Sequence, residues 1–170
     1  MGRPRGFDEP AVINAAARLF ARRGFSGVSV DDLVRDLGVH RNSLYRTFGS
    51  KRGLYLAALR TIRSGCLAAI AAAADPVAAA GDAALSTDIG GLDLLLMAAA
   101  EQAAQDEEVA AEVSAALAEL DAITAPMGDG PLATATLLGL RIRVRSGGDC
   151  AGLVSTWSQQ AATTRWNEGG

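Results

Sequence analysis

The chain has 170 residues, 49% of them apolar and 5% aromatic, with two cysteines and a formal net charge of −3. That is long enough to bury a core and too apolar for a disordered chain. The alanine-rich, aromatic-poor mix favours closely packed helices over a β-sandwich, and no uncharged apolar run approaches the roughly 20 residues of a membrane span.

Cys66 and Cys150 form neither a CxxC pair nor a disulfide framework, and no apolar signal core follows the basic start Met1 to Gly6. A reducing, cytoplasmic setting is therefore expected. The charge is split. Residues 1–60 hold 11 Arg and Lys against 5 Asp and Glu, and residues 61–170 hold 5 against 14. That is the pattern of a basic N-terminal module on an acidic body.

In chain order, Asp8-Glu9-Pro10 opens a first helix, with Val12, Ile13, Ala16, Leu19 and Phe20 at helical spacing and Arg22-Arg23-Gly24 ending it. Ser29 caps a second helix with Asp32 where a capping-box acid would sit, and Val30, Leu33, Val34 and Leu37 make its buried stripe. Gly38 ends that helix with positive φ. His40 or Arg41 opens a third helix of about two turns, broken at Gly49-Ser50. Ser50 caps a fourth, predicted to run to Ala74.

Further helices are predicted near 77–85, from Leu92 to Ala104, from 107 to 124, from Leu132 to Arg145, and from Cys150 to about Arg165. The fold class is all-α, about nine helices, with a three-helix head at 1–50 and a helical body at 51–170. The alternation Arg141-x-Arg143-x-Arg145 is too short, and too close to a turn, to read as a strand.

Two helices joined by a short glycine turn make a helix-turn-helix. Val34 lies four before the turn glycine Gly38 and Leu44 six after it, the positions such a motif needs for close packing and for an anchor. The third helix then exposes His40, Arg41, Asn42, Ser43, Tyr45, Arg46 and Thr47. Arg takes guanine O6 and N7 with two bonds and Asn does likewise for adenine. Tyr45, Thr47 and Lys51 suit phosphates.

From about residue 8 to 60 the sequence resembles the N-terminal domain of the TetR/AcrR family of bacterial transcriptional repressors. The matching stretches are Ala15-Ala16-x-x-Leu19-Phe20 with Gly24-Phe25, Leu37-Gly38-Val39, and Leu44-Tyr45-x-x-Phe48-Gly49-Ser50-Lys51 followed by Leu54. The resemblance implies Arg41, Asn42 and Ser43 at base edges and Tyr45 and Lys51 on phosphates. It departs from the family at His40, usually a small hydroxyl residue that caps, and at Asn42, usually Gly or Ala.

The resemblance also implies a homodimer on double-stranded operator DNA. The last two helices would pair with their twins through Leu137, Leu140, Val144, Leu153, Val154 and Trp157. The body would hold a small apolar or amphipathic effector, with Ile62, Cys66, Ile70, Leu94, Met97, Val113 and Leu117 available to line its pocket. No cofactor is expected, and no His, Cys, Asp and Glu set has metal-ligand spacing. Two alternatives stand beside the repressor reading: an interaction module that keeps the fold without DNA binding, and an enzyme using Cys66 or His40.

Overall fold

The computed structural model describes residues 7–148 together with Cys150, Gly152, Leu153 and Thr156. Among these residues all regular structure is helical. Three helices form the head: α1 (Glu9–Arg23), α2 (Val30–Leu37) and α3 (Arg41–Phe48). The Asp8 carboxylate accepts from the Ala11 N–H and caps α1, while Gly24, at φ +72°, ends it. The capping box of α2 is complete. Ser29 Oγ accepts from Asp32 N and the Asp32 carboxylate accepts from Ser29 N, each at 3.0 Å, and such a cap contributes about 1 kcal/mol. Of the predicted α2 stripe only Leu33 is buried; Val30, Val34 and Leu37 are half-buried. Val28 and Val39, which flank the helix, complete the packing.

α4 (Lys51–Ala71) is the spine that joins head to body. It ends three residues before the predicted Ala74, and its stretch Ile62–Leu67 is π-helical. α4 has 21 residues and is long and apolar enough to cross a membrane by length and composition, with a mean hydropathy of 1.3 in its most apolar window. The uncharged runs between its arginines are short, but the helix continues through them. It packs inside the protein, with Leu54, Tyr55, Leu59, Ile62, Leu67 and Ile70 buried.

Four further helices make the body: α5 (Pro76–Leu85), α6 (Gly91–Glu101), α7 (Glu107–Thr124) and α8 (Gly130–Arg145). Side chains of Asp75, Asp106 and Asp129 cap α5, α7 and α8. An ionic ladder sets α7 along the outer face of α4. Arg52 pairs with Asp106 (2.6 Å) and Glu108 (3.0 Å), Arg60 with Glu108 (2.6 Å) and Glu112 (2.8 Å), and Arg63 with Glu119 (2.7 Å) and Glu112 (3.4 Å). Each such exposed pair contributes little alone. The ladder's value is register. The Arg52 guanidinium holds the Asp106 carboxyl down at about 2, against the opposing effect of burial.

Among the described residues the main apolar core runs from Val12 in α1 to Leu137 in α8, and Leu140 and Cys150 form a smaller cluster. Two charges are buried within the body, Asp93 on α6 at 0% exposure and Arg141 on α8 at 3%. Their carboxylate and guanidinium meet through two hydrogen bonds, Nε to Oδ1 at 2.9 Å and Nη2 to Oδ2. The remaining guanidinium N–H groups donate to the carbonyls of Ala84, Ser86 and Asp88. Arg141 is thereby tied to the whole turn between α5 and α6. In sequence it had stood out only as part of an Arg alternation.

Several expectations for the body are corrected. Leu137 and Leu140 are buried inside the chain, and Val144 is half-buried against Leu140 and Cys150, so these three are not a free dimer face. Leu153 is exposed, while Val154, Trp157 and most of the predicted last helix lie outside the described residues. The apolar side chains that α8 does expose are Leu132 and Ile142, at 66% and 52%. Of the expected pocket set, Ile70, Leu94 and Val113 are core and Leu117 packs against it, while Ile62 and Cys66 pack with the core and also line a cleft. Met97 packs under Gly24. Helical spacing marks an apolar face but not whether a neighbouring helix or a ligand fills it.

Asp93→Ala would leave the Arg141 charge buried without its counter-ion. The expected loss is about 3–5 kcal/mol of unfolding free energy, measured by urea denaturation.

Candidate nucleic-acid interface

The turn between α2 and α3 is made by Gly38 at φ +64°, a left-handed geometry that costs glycine little. Leu44, fully buried, anchors α3, and Phe48 at its end stacks on Phe7 with ring centroids 6.3 Å apart. His40 stands at the N-cap, where its carbonyl accepts from Ser43 and Leu44, but its ring makes no capping bond. The first turn of α3 is therefore uncapped by a side chain. His40, Arg41, Asn42, Tyr45 and Arg46 are exposed, and Ser43 and Thr47, four residues apart, are half-buried at the flank. Seven of the eight predicted contact residues thus share the outer surface of one short helix.

The eighth, Lys51, opens α4 and is half-buried. Its ammonium donates to the carbonyls of Phe25 (3.0 Å) and Val28 (2.9 Å) and lies 4.0 Å from the centroid of the Phe25 ring. Two of its three N–H bonds are thus committed to the loop between α1 and α2, which revises the purely phosphate-facing role expected from sequence. Beneath that loop, Tyr55 packs edge to face on Phe20 and Phe25, with centroids 4.9 and 5.0 Å apart, and the two Phe rings stack on each other. The Tyr55 hydroxyl is buried without a hydrogen-bond partner, and its burial, with the nearby Glu101 charge, pushes its pKa up.

The basic character of the head is narrower than its composition suggests. Arg23 lies 3.6 Å from Asp32, Arg35 pairs with Asp32 and Asp36, and Arg41 pairs with Asp31 across the helix-turn-helix. Hydrogen bonds from Ser29, together with Arg35, hold the Asp32 carboxyl well below the usual carboxylate range. Arg46 makes no ion pair among the described residues. Sequence reasoning missed Asp31 as the partner of Arg41 and Glu101 as a holder of the α1–α2 loop, and it gave Lys51 a phosphate role without its bonds to that loop. Only contacts across the fold reveal them.

Cys66 does not present the features of a catalytic nucleophile. It lines a cleft of about 320 Å³ with Ile62, Ala17, Arg18 and Gly91. Burial pushes its thiol pKa up, away from the reactive thiolate, although the Gly91 N–H pulls the other way.

Residues 12–58 match the family model described as bacterial regulatory proteins, tetR family. Over 70 residues the chain is 41% identical to an uncharacterized HTH-type transcriptional regulator, YezE, of Bacillus subtilis, a match covering 41% of this chain and 36% of that protein. Over 54 residues it is 48% identical to the HTH-type transcriptional repressor BdcR of Escherichia coli, covering 32% of this chain and 27% of that one. The matches therefore span about a third or less of these relatives. In overall fold the chain is similar to a cysteine mutant of the TetR family regulator CifR complexed with 26-bp operator DNA. That comparison has a TM-score of 0.70 at 21% identity and covers 95% of this chain and 98% of the other.

Lys51→Met would remove two charge-assisted bonds from the loop. It is expected to lower the stability of the DNA-free protein by about 1–3 kcal/mol, read by urea or thermal denaturation. A side chain serving phosphate alone would leave that stability unchanged.

Proposed function

We propose, from a chain whose residues 12–58 match the tetR-family model, that this protein is a sequence-specific DNA-binding transcriptional regulator. It acts as a homodimer that represses from a near-palindromic operator until a small ligand releases it. The observation that carries this reading is the outer surface of α3, where Arg41, Asn42, Tyr45 and Arg46 stand exposed on a helix anchored by Leu44. Arg41 and Asn42 read base edges, with Ser43 beside them. Tyr45, Arg46, Thr47 and the third N–H of Lys51 contact phosphates, and the uncapped first turn at His40 takes another. Residues 1–50 serve recognition, and residues 51–170 serve pairing and ligand binding.

Support for the dimer comes from α8, where Leu132, Ala135, Gly139 and Ile142 follow one stripe. Leu132 and Ile142 are exposed, and open space surrounds Gly139 where a second helix would approach. Two recognition helices would then meet successive major grooves about 34–36 Å apart. BdcR, 48% identical over the recognition segment, is named a repressor. For the ligand, an open cavity of about 600 Å³ lies between the end of α4 and the end of α7. Leu67, Ala68, Ala71, Pro76, Ala122 and Ile123 line it, with Arg63 and Glu119 at its edge. Such a wall suits a small apolar or amphipathic molecule. The reading makes the protein cytoplasmic and non-enzymatic.

Titration of labelled promoter fragments at several salt concentrations tests the proposal. Affinity for the operator should fall steeply with salt, with a slope near −0.9 per phosphate neutralised. Arg41→Ala should lose about 1–3 kcal/mol of discrimination at one operator position, whereas Tyr45→Phe should weaken all sequences alike. Equal binding of all fragments at every salt concentration would favour the interaction-module reading.

A further inference from the structure

We infer that Glu101 is the positioning residue through which the body fixes the orientation of the recognition head and so sets the spacing of operator half-sites. The inference rests on the proposed dimeric DNA-binding reading. Glu101 is the last residue of α6, in the body. Its carboxylate accepts the N–H groups of Phe25 (2.6 Å) and Ser26 (2.7 Å), 76 and 75 residues away in the loop between α1 and α2. A Cβ on Gly24 would lie 2.5 Å from Glu101 Oε2 and 3.1 Å from Met97 Cε. The absence of a side chain at Gly24 is what lets α6 approach this loop.

The same loop gives its carbonyls to Lys51, so its donors answer to the body and its acceptors to the top of α4. The hydrogen bonds from Ser26 and Phe25 and the charge of Lys51 together hold the Glu101 carboxyl below its ordinary value, against the desolvation that opposes ionisation. A second link reinforces the first. Arg145, at the end of α8, donates to the Ala21 carbonyl near the end of α1 at 2.6 Å. Both links join the body to the C-terminal end of α1, beside the loop that leads into α2.

In a dimer assembled through the body, the distance between the two α3 helices depends on where each head sits on its own body. DNA is unforgiving of error in that distance. One base pair more or less shifts a half-site by about 3.4 Å and turns it by roughly a tenth of a helical repeat. Free rocking of the head would let one dimer tolerate several spacings. Glu101 restrains that motion without touching DNA.

The test uses the full chain, a selected operator, and versions with one base pair inserted or removed between the half-sites. The wild-type protein should lose affinity about tenfold or more on either change. Glu101→Ala should cut that penalty to below about threefold while leaving affinity for a single half-site unchanged. Glu101→Gln, which retains an acceptor, should fall between the two. Arg145→Met provides an independent variant on the second link should Glu101→Ala fail to fold. Distances between spin labels at Asn42→Cys and Ala118→Cys, in a chain carrying Cys66→Ser and Cys150→Ser and diluted with unlabelled protein, should broaden with Glu101→Ala.

An unchanged spacing penalty and an unchanged distance distribution would overturn the inference, as would a parallel loss of half-site affinity. Broadened distances in a protein that binds no operator would uphold the restraint and sink the DNA-binding reading instead.

Discussion

The loop from Gly24 to Ser29 makes few hydrogen bonds of its own, and the head depends on how it is held. Its N–H groups at Phe25 and Ser26 go to Glu101, and its carbonyls at Phe25 and Val28 go to Lys51. The Phe25 N–H and the Phe25 and Val28 carbonyls are part-buried, where a backbone group without a partner is costly, so both charged side chains stabilise the loop. Below it, Phe20, Phe25 and Tyr55 form an aromatic floor that joins α1 to α4. The loop thereby ties the head to α6 through its donors and to α4 through its acceptors.

Charge in this protein is used mostly for internal registration. The arginines of α4 are matched to the acids of α7, and Arg23, Arg35 and Arg41 to the acids of α2. The long-range field of the head is correspondingly weaker than a count of arginines implies. What remains is local. Arg46, the uncapped start of α3 and Arg41, paired with Asp31, lie on the outer surface of one short helix.

The helices and the helix-turn-helix were legible because their signals are local. Asp8, Ser29, Ser50, Asp75 and Asp106 each cap through their side chains where the sequence shows a small polar residue before an apolar run. The outer face of α3 was legible for the same reason, since Leu44 alone decides which side is buried. Partners across the fold were not legible. Nothing near Asp93 in sequence reveals Arg141 as its counter-ion, and nothing near Glu101 reveals the α1–α2 loop. The apolar faces of α7 and α8 were correctly periodic but wrongly allotted. Leu137 and Leu140 looked like dimer contacts and are core, because the amphipathic pattern of a helix packed on several sides does not say which neighbour takes which face.

In the proposed function, α3 reads DNA sequence as one half of a symmetric pair. Selection of bound fragments from a pool of random double-stranded DNA, followed by sequencing, tests it most directly. The expected result is enrichment of an inverted repeat with half-site centres about one helical turn apart, lost when Arg41 and Asn42 are both replaced by alanine. Recovery of unenriched DNA, or of the same motif from that double variant, would contradict it.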